Sequence, residues 1–262
     1  MGLTLLFFSL LLTHVVTSLY LLLLKNLLPK TTPMDLSYAA NWLVSLSQAL
    51  LTTLVGTLFS YQSQFNMMEV KLPWLVPYAW MALGYWLYDL ASLSLMATKA
   101  TNKAVGAGFV RTLCQHVVTV FRWWPGMVAH HVGVITFLWV AIIGSGRQRG
   151  DGMIAVSLLM ELSSVFVAAR SCLARLGLKD SKSYLVVSIF MVVSFFAVRV
   201  VLMPAVVVLY SWQEGMTLSQ GLASMPCQCV IGTIMFYSLN CYWFYLMVRG
   251  CVKVMSRPSK KE

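Results

Sequence analysis

The chain has 262 residues, of which 59% are apolar and only 10% are charged. Soluble domains carry about 25% charged residues, so this balance excludes an ordinary water-soluble domain and makes lipid the expected solvent. The net charge of +11 would suggest nucleic acid in a soluble chain. In a membrane chain it is instead the Lys and Arg excess that flanks helices on the cytosolic side.

A helix needs about 20 mostly apolar residues to cross the hydrocarbon core. Seven windows meet this: roughly Leu3–Leu24, Ser37–Tyr61, Trp74–Ala97, Gly126–Gly144, Met153–Leu176, Ser183–Trp212 and Leu222–Val248. The first lacks a basic n-region and its apolar run is longer than a secretory h-region, so an uncleaved helix is expected. The six cysteines lie in or beside apolar segments and do not form an extracellular disulfide framework. Between the third and fourth windows, Phe109, Val110, Leu113, Val117, Val120 and Phe121 recur at helical spacing, with Arg111, Gln115, His116 and Arg122 mainly opposite. That pattern predicts a helix lying in the cytosolic interface, with Trp123-Trp124-Pro125 marking where the fourth span begins.

Alternate loops differ sharply in basic charge. Fourteen Lys and Arg fall on one side, three (Lys71, Arg147 and Arg149) fall on the other, and Arg170 and Arg199 lie within spans. The basic side is expected to be cytosolic, which puts the C-terminus in the cytosol and the N-terminus outside. The expected organisation is a first span and loop over 1–36, a transmembrane domain over 37–254 and a basic tail over 255–262.

Ionisable groups inside spans cost about 2.5 kcal/mol or more each on insertion scales and face the bundle interior. This chain places Asp89 in the third span, His130 and His131 in the fourth, Glu161 and Arg170 in the fifth, and Arg199 in the sixth. Asn240 adds a polar group to the seventh. Their spread over five consecutive spans predicts a shared polar interior, and a Glu161–Arg199 ion pair would keep both charges in low dielectric. Adjacent helical residues point about 100° apart, unlike the i, i+4 pair of a zinc chelate, so no metal site is expected. One imidazole could act as general base or nucleophile while the other bonds a neighbouring helix, and a purely structural role fits the spacing as well.

Several segments together resemble the TLC-domain family, which includes ceramide synthases and translocon-associated proteins. They are His130-His131, Met160-Glu161-Leu162-Ser163-Ser164-Val165-Phe166 with Arg170, Phe195-Phe196-Ala197-Val198-Arg199, and Asn240 through Arg249-Gly250-Cys251-Val252-Lys253. The chain looks most like the smaller TLC domain-containing proteins. The resemblance implies an all-α, polytopic, curved bundle around a lipid-accessible cavity and a link to membrane lipid composition or fluidity. It implies residence in the endoplasmic reticulum, with the plasma membrane as the alternative. In the ceramide-synthase branch the histidine pair and following aspartates transfer an acyl group from acyl-CoA to a sphingoid amine. Here the pair is present and the aspartate-rich stretch is not.

Lipid handling is therefore the first functional expectation, with Asp89, Arg170, Arg199 and Asn240 as candidate ligand-binding residues. Acyl transfer is the second, with His130, His131 and Glu161 as candidate catalytic residues and acyl-CoA as substrate; no cofactor is implied. A seven-helix receptor or transporter is the third, although no receptor motif or inverted repeat is present. A membrane lipid or fatty acyl group is the expected ligand, nucleic acid is not an expected partner, and the sequence leaves room for a homo-oligomer.

Overall fold

A computed structural model of the chain describes residues 1–100, 118, 122, 125–144 and 149–255. The expected interfacial helix before Trp123 lies outside the described residues apart from Val118 and Arg122, as does nearly all of the basic tail. Eight helices are described. They are α1 (Gly2–Leu27), α2 (Pro33–Gln62), α3 (Leu75–Ala100) and α4, which runs over Pro125–Phe137 and widens into π-helical turns over Leu138–Ile143. Then come α5 (Asp151–Leu158, a 3-10 turn Leu159–Glu161, then Leu162–Arg175) and α6 (Lys182–Phe195, π-helical Phe196–Val201, then Leu202–Gln213). The short α7 (Leu218–Ser224) leads into α8 (Cys227–Met255).

Among the described residues α1, α2, α5, α6 and α8 are long and apolar enough to cross a membrane. Helix α3 fills the expected third window with 26 residues, and the apolar part of α4, Pro125–Val140, is shorter. The chain is thus an all-α, polytopic membrane protein. One expected window changes shape. Leu222–Val248 is not a single helix, because Met225 is extended (φ −72°, ψ 145°) and separates α7 from α8. Pro226 follows it, and proline clashes with a helical conformation in the residue before it.

Local sequence explains most helix ends. Thr32 caps α2 by accepting from the Asp35 N–H at 3.1 Å, Pro33 opens the first turn, and Asp35 faces the positive end of the helix dipole. Ser181 caps α6 in the same way through the Tyr184 N–H, at 3.1 Å. Helix α5 closes with Gly177 at φ +77° and the Leu178 N–H donating to the Leu173 carbonyl at 2.9 Å, the geometry a left-handed glycine permits.

Helix α2 runs through the bundle, packed on α1, α3 and α5, while α8 closes the far side against α4 and α6. The outward faces of α1, α6 and α8 carry large exposed apolar side chains such as Phe7, Leu11, Leu185, Phe190, Ile231 and Ile234, which suit contact with acyl chains. At one end the 63–74 connection folds over the bundle. Met67 is fully buried against Val156, Val206 and Tyr210. Its N–H donates to Gln213 Oε1 and Gln213 Nε2 donates to the Phe65 carbonyl, both at 2.9 Å. The Leu72 N–H donates to Asp151 Oδ2 at 2.8 Å, and Arg149 pairs with both Glu69 and Glu214.

Helix α2 approaches α5 closely at Gly56, where an added Cβ would sit 2.8 Å from Leu158 Cβ and 3.1 Å from its backbone carbon. Gly56→Ala is expected to destabilise the protein by about 1–3 kcal/mol through this overlap. Gly250→Ala, which meets nothing within 4 Å, is expected to be neutral or slightly stabilising. Thermal unfolding in detergent measures both, and equal effects at the two sites would contradict the close packing of α2 on α5.

Candidate functional site

Two irregular turns aim the central charges. Arg199 lies within the π-helical segment of α6, and Glu161 closes the 3-10 turn of α5. Pro204 follows the π segment and has no N–H for the carbonyl of residue 200, so the helix widens where Arg199 leaves it. Arg199 is buried and distributes its N–H groups over two neighbouring helices, α5 and α8. Nε donates to Ser163 Oγ at 2.7 Å, and Nη2 donates to Ser164 Oγ at 2.8 Å and to Glu161 Oε1 at 3.1 Å. Nη1 reaches Asn240 Oδ1 at 3.4 Å, and Asn240 Nδ2 lies 3.8 Å from the Met203 sulfur. The expected Glu161–Arg199 pair is present, and its surrounding hydroxyls satisfy donors that a buried ion pair would otherwise leave unpaired.

A second polar cluster sits beside it. Asp89 is buried and accepts from Asn41 Nδ2 at 3.0 Å on one oxygen, while its other oxygen lies 2.7 Å from His131 Nε2. His131 Nδ1 lies 2.8 Å from the Met127 carbonyl. A carbonyl only accepts, so Nδ1 carries a proton, and a second proton lies between Nε2 and Asp89. Whichever atom holds that second proton, the pair is neutral as a whole. It is therefore compatible with its burial.

His130 is placed differently. It is 8% exposed, its Nδ1 is buried with no hydrogen-bond partner, and its ring is surrounded by Trp86, Phe236 and Trp243 at centroid distances of 5.4–5.8 Å. Buried ring nitrogens are nearly always hydrogen-bonded, so this enclosed, unpartnered nitrogen is an uncommon feature in a residue that also borders the space described next.

Two cavities meet at this point. One of about 620 Å³ runs from His130, Glu161 and Arg199 between apolar walls that include Val134, Leu158 and Val206 to the Arg149 end of the bundle. The other, about 250 Å³, lies toward the Trp42 and Met247 end and is lined by Asp89, His131 and Trp243. Trp86, His130, Glu161 and Arg199 border both. The larger volume is in the usual range for a small-molecule pocket, with a few polar groups at one end of an apolar space. That arrangement suits an amphiphile.

Six of the seven residues expected from the sequence, Asp89, His130, His131, Glu161, Arg199 and Asn240, border one or both cavities. Arg170 lines neither: its Nε donates to Ser188 Oγ at 3.1 Å and its guanidinium lies over the Tyr184 ring at 4.9 Å, joining α5 to α6. The carboxylate that orients a histidine is Asp89, whereas Glu161 is engaged by Arg199. Nothing in the sequence singles out Asn41 or Trp86, because an isolated Asn or Trp within an apolar window has no periodic signal. The adjacent Ser163-Ser164 was visible only within the family-like segment. Among the described residues no cluster of three or more His, Cys, Asp or Glu could hold a metal ion.

No solved structure matches the chain. The family model described as the TLC domain matches residues 39–249, which takes in α2 through most of α8 and both polar clusters. The chain belongs to the TLC-domain family.

Proposed function

We propose that this protein handles a membrane lipid or fatty acyl ligand by holding its polar group at His130, Glu161 and Arg199 and its chain in the larger cavity. The observation that carries this reading is an apolar space of about 620 Å³ with His130, Glu161 and Arg199 gathered in its lining. A polar group there would lie beside His130 and Arg199, and Arg199 would offer positive charge without any new ion having to be buried. The basic side, which carries Lys25 and Arg175, supports a cytosolic C-terminus and lumenal or extracellular N-terminus. On that orientation the larger cavity extends toward the non-cytosolic face, where Arg149 lies, and only the smaller one extends toward the cytosol.

A second reading, acyl transfer, draws on the contrast between the two histidines. His131 is committed to Asp89 and Met127, whereas His130 is free to accept a proton. In such a reaction an amine or hydroxyl of the acceptor attacks an acyl thioester and a new C–N or C–O bond forms. His130 takes the proton of the attacking group, the C–S bond breaks, and the departing thiolate receives that proton. His131 and Asp89 would hold the geometry, with Glu161 orienting Arg199 and no cofactor required. The absent aspartate-rich stretch keeps this second to lipid handling. The endoplasmic reticulum is the proposed site, following the family, with the plasma membrane as the alternative.

Lipid extracted from the purified protein and identified by mass spectrometry tests the first reading. Val134→Trp should narrow the larger cavity and reduce the bound lipid at least about tenfold while the protein stays folded; unchanged lipid content would remove the basis for the proposal. For acyl transfer, labelled acyl-CoA and a sphingoid base should give product that His130→Ala abolishes, and product that persists in that variant would exclude His130 as the base. The ion pair can be separated from both. Arg199→Met alone should cost about 3–5 kcal/mol by leaving Glu161 uncompensated, whereas Arg199→Met with Glu161→Leu should recover most of the thermal stability. Failure of the double variant to recover would mean that the bonds to Ser163, Ser164 and Asn240 dominate.

A further inference from the structure

At the end of the bundle opposite Arg149, two loops far apart in sequence flank one apolar cluster. Leu24 at the end of α1, Leu28 in the connection and Leu36 at the start of α2 meet Cys172 and Leu176 at the end of α5. The Arg175 guanidinium lies over the Tyr38 ring at 4.1 Å and 3.8 Å from Asp35, which ties the two connections together. The same two segments present Lys25, Lys30, Lys179 and Lys182, all exposed. With Arg175 they make five cations against the two carboxylates Asp35 and Asp180, a net +3 on one small rim.

Those four lysines are not consumed internally. No carboxylate among the described residues lies within ion-pair distance of any of them, and Asp35 is already engaged by Thr32 and Arg175. Apolar side chains alternate with them in both segments: Leu27 is 66% exposed and Leu178 46% exposed. Cations interleaved with exposed leucines at a helix end suit the boundary where acyl chains meet headgroups.

We propose that this rim is a binding site for an anionic membrane lipid, recognised through its headgroup phosphate and further negative charge. Four exposed lysines lie in and beside two connections that Arg175 ties together, which concentrates attraction beyond what a single basic helix end supplies. The exposed leucines favour a lipid over a soluble phosphate, because they gain by contact with acyl chains and lose by contact with water. Lipid bound here would bridge the α1–α2 and α5–α6 connections. The site is separate from the intramembrane cavities, so it stands whether or not those hold a ligand.

The test uses the full chain reconstituted in vesicles of phosphatidylcholine with a minor fraction of phosphatidylserine, then mildly delipidated. Mass spectrometry of the retained lipid should show phosphatidylserine enriched over the input ratio. The variant carrying Lys25→Gln, Lys30→Gln, Lys179→Gln and Lys182→Gln should lower the enrichment by about fivefold or more. Should the quadruple variant not fold, raising the salt from about 0.1 M to about 1 M on the native protein should collapse the enrichment by screening. Retention at the input ratio in the native protein, or full enrichment in the quadruple variant, would overturn the proposal. So would displacement of phosphatidylserine by inorganic phosphate at equal concentration, which would assign the rim to a soluble anion.

Discussion

A guanidinium cannot be left unpaired in hydrocarbon, and the interior of this protein is arranged around that cost at Arg199. Its donors are taken up by Glu161, Ser163 and Ser164 from α5 and by Asn240 from α8. Those bonds draw α5, α6 and α8 toward one point at which the regular helical geometry of two of them gives way. The 3-10 turn at Glu161 and the π turns around Arg199 are where the chain departs from ideal geometry so that side chains can meet. The same convergence leaves space beside it, because helices pinned at one level by polar contacts do not also fill the apolar volume on either side.

The second cluster follows the same rule by a different route. Asp89 and His131 share a proton and form a neutral unit, with Asn41 and the Met127 carbonyl satisfying the outer atoms. Burial is then tolerable without a net charge. His130 is the exception. Its Nδ1 has no partner although its ring is enclosed by aromatic side chains. Among the described residues Ser60 Oγ is also buried without a partner, but of the two only His130 borders both cavities.

The ends of the bundle divide the remaining labour. At one end the 63–74 connection is fastened by Gln213, Asp151 and the Arg149 pairs, so the larger cavity has an ordered rim. At the other end Arg175 ties two connections together and leaves lysines facing outward. Polar contacts thus fasten both ends of the bundle, with a net cationic rim at the Arg175 end.

Much of this was legible in the residues themselves. Runs of about 20 apolar residues specify spanning helices because lipid offers no partner for an open backbone, and intramembrane charges are conspicuous for the same reason. Hence Asp89, His130, His131, Glu161, Arg199 and Asn240 could be named in advance, and so could the Glu161–Arg199 pair. The family-like segments pointed the same way. What the sequence could not determine was which polar group met which. Helical spacing gives a side chain's direction around its own axis but not the rotation or tilt of one helix against another. Only tertiary packing decided that Asp89 meets His131 rather than His130, that Arg170 turns to Ser188 and Tyr184 outside the cavities, and that the larger cavity runs toward Arg149. Those outcomes depend on local breaks in helix geometry and on close approaches such as Gly56 against Leu158, which leave no periodic trace in a chain of apolar residues.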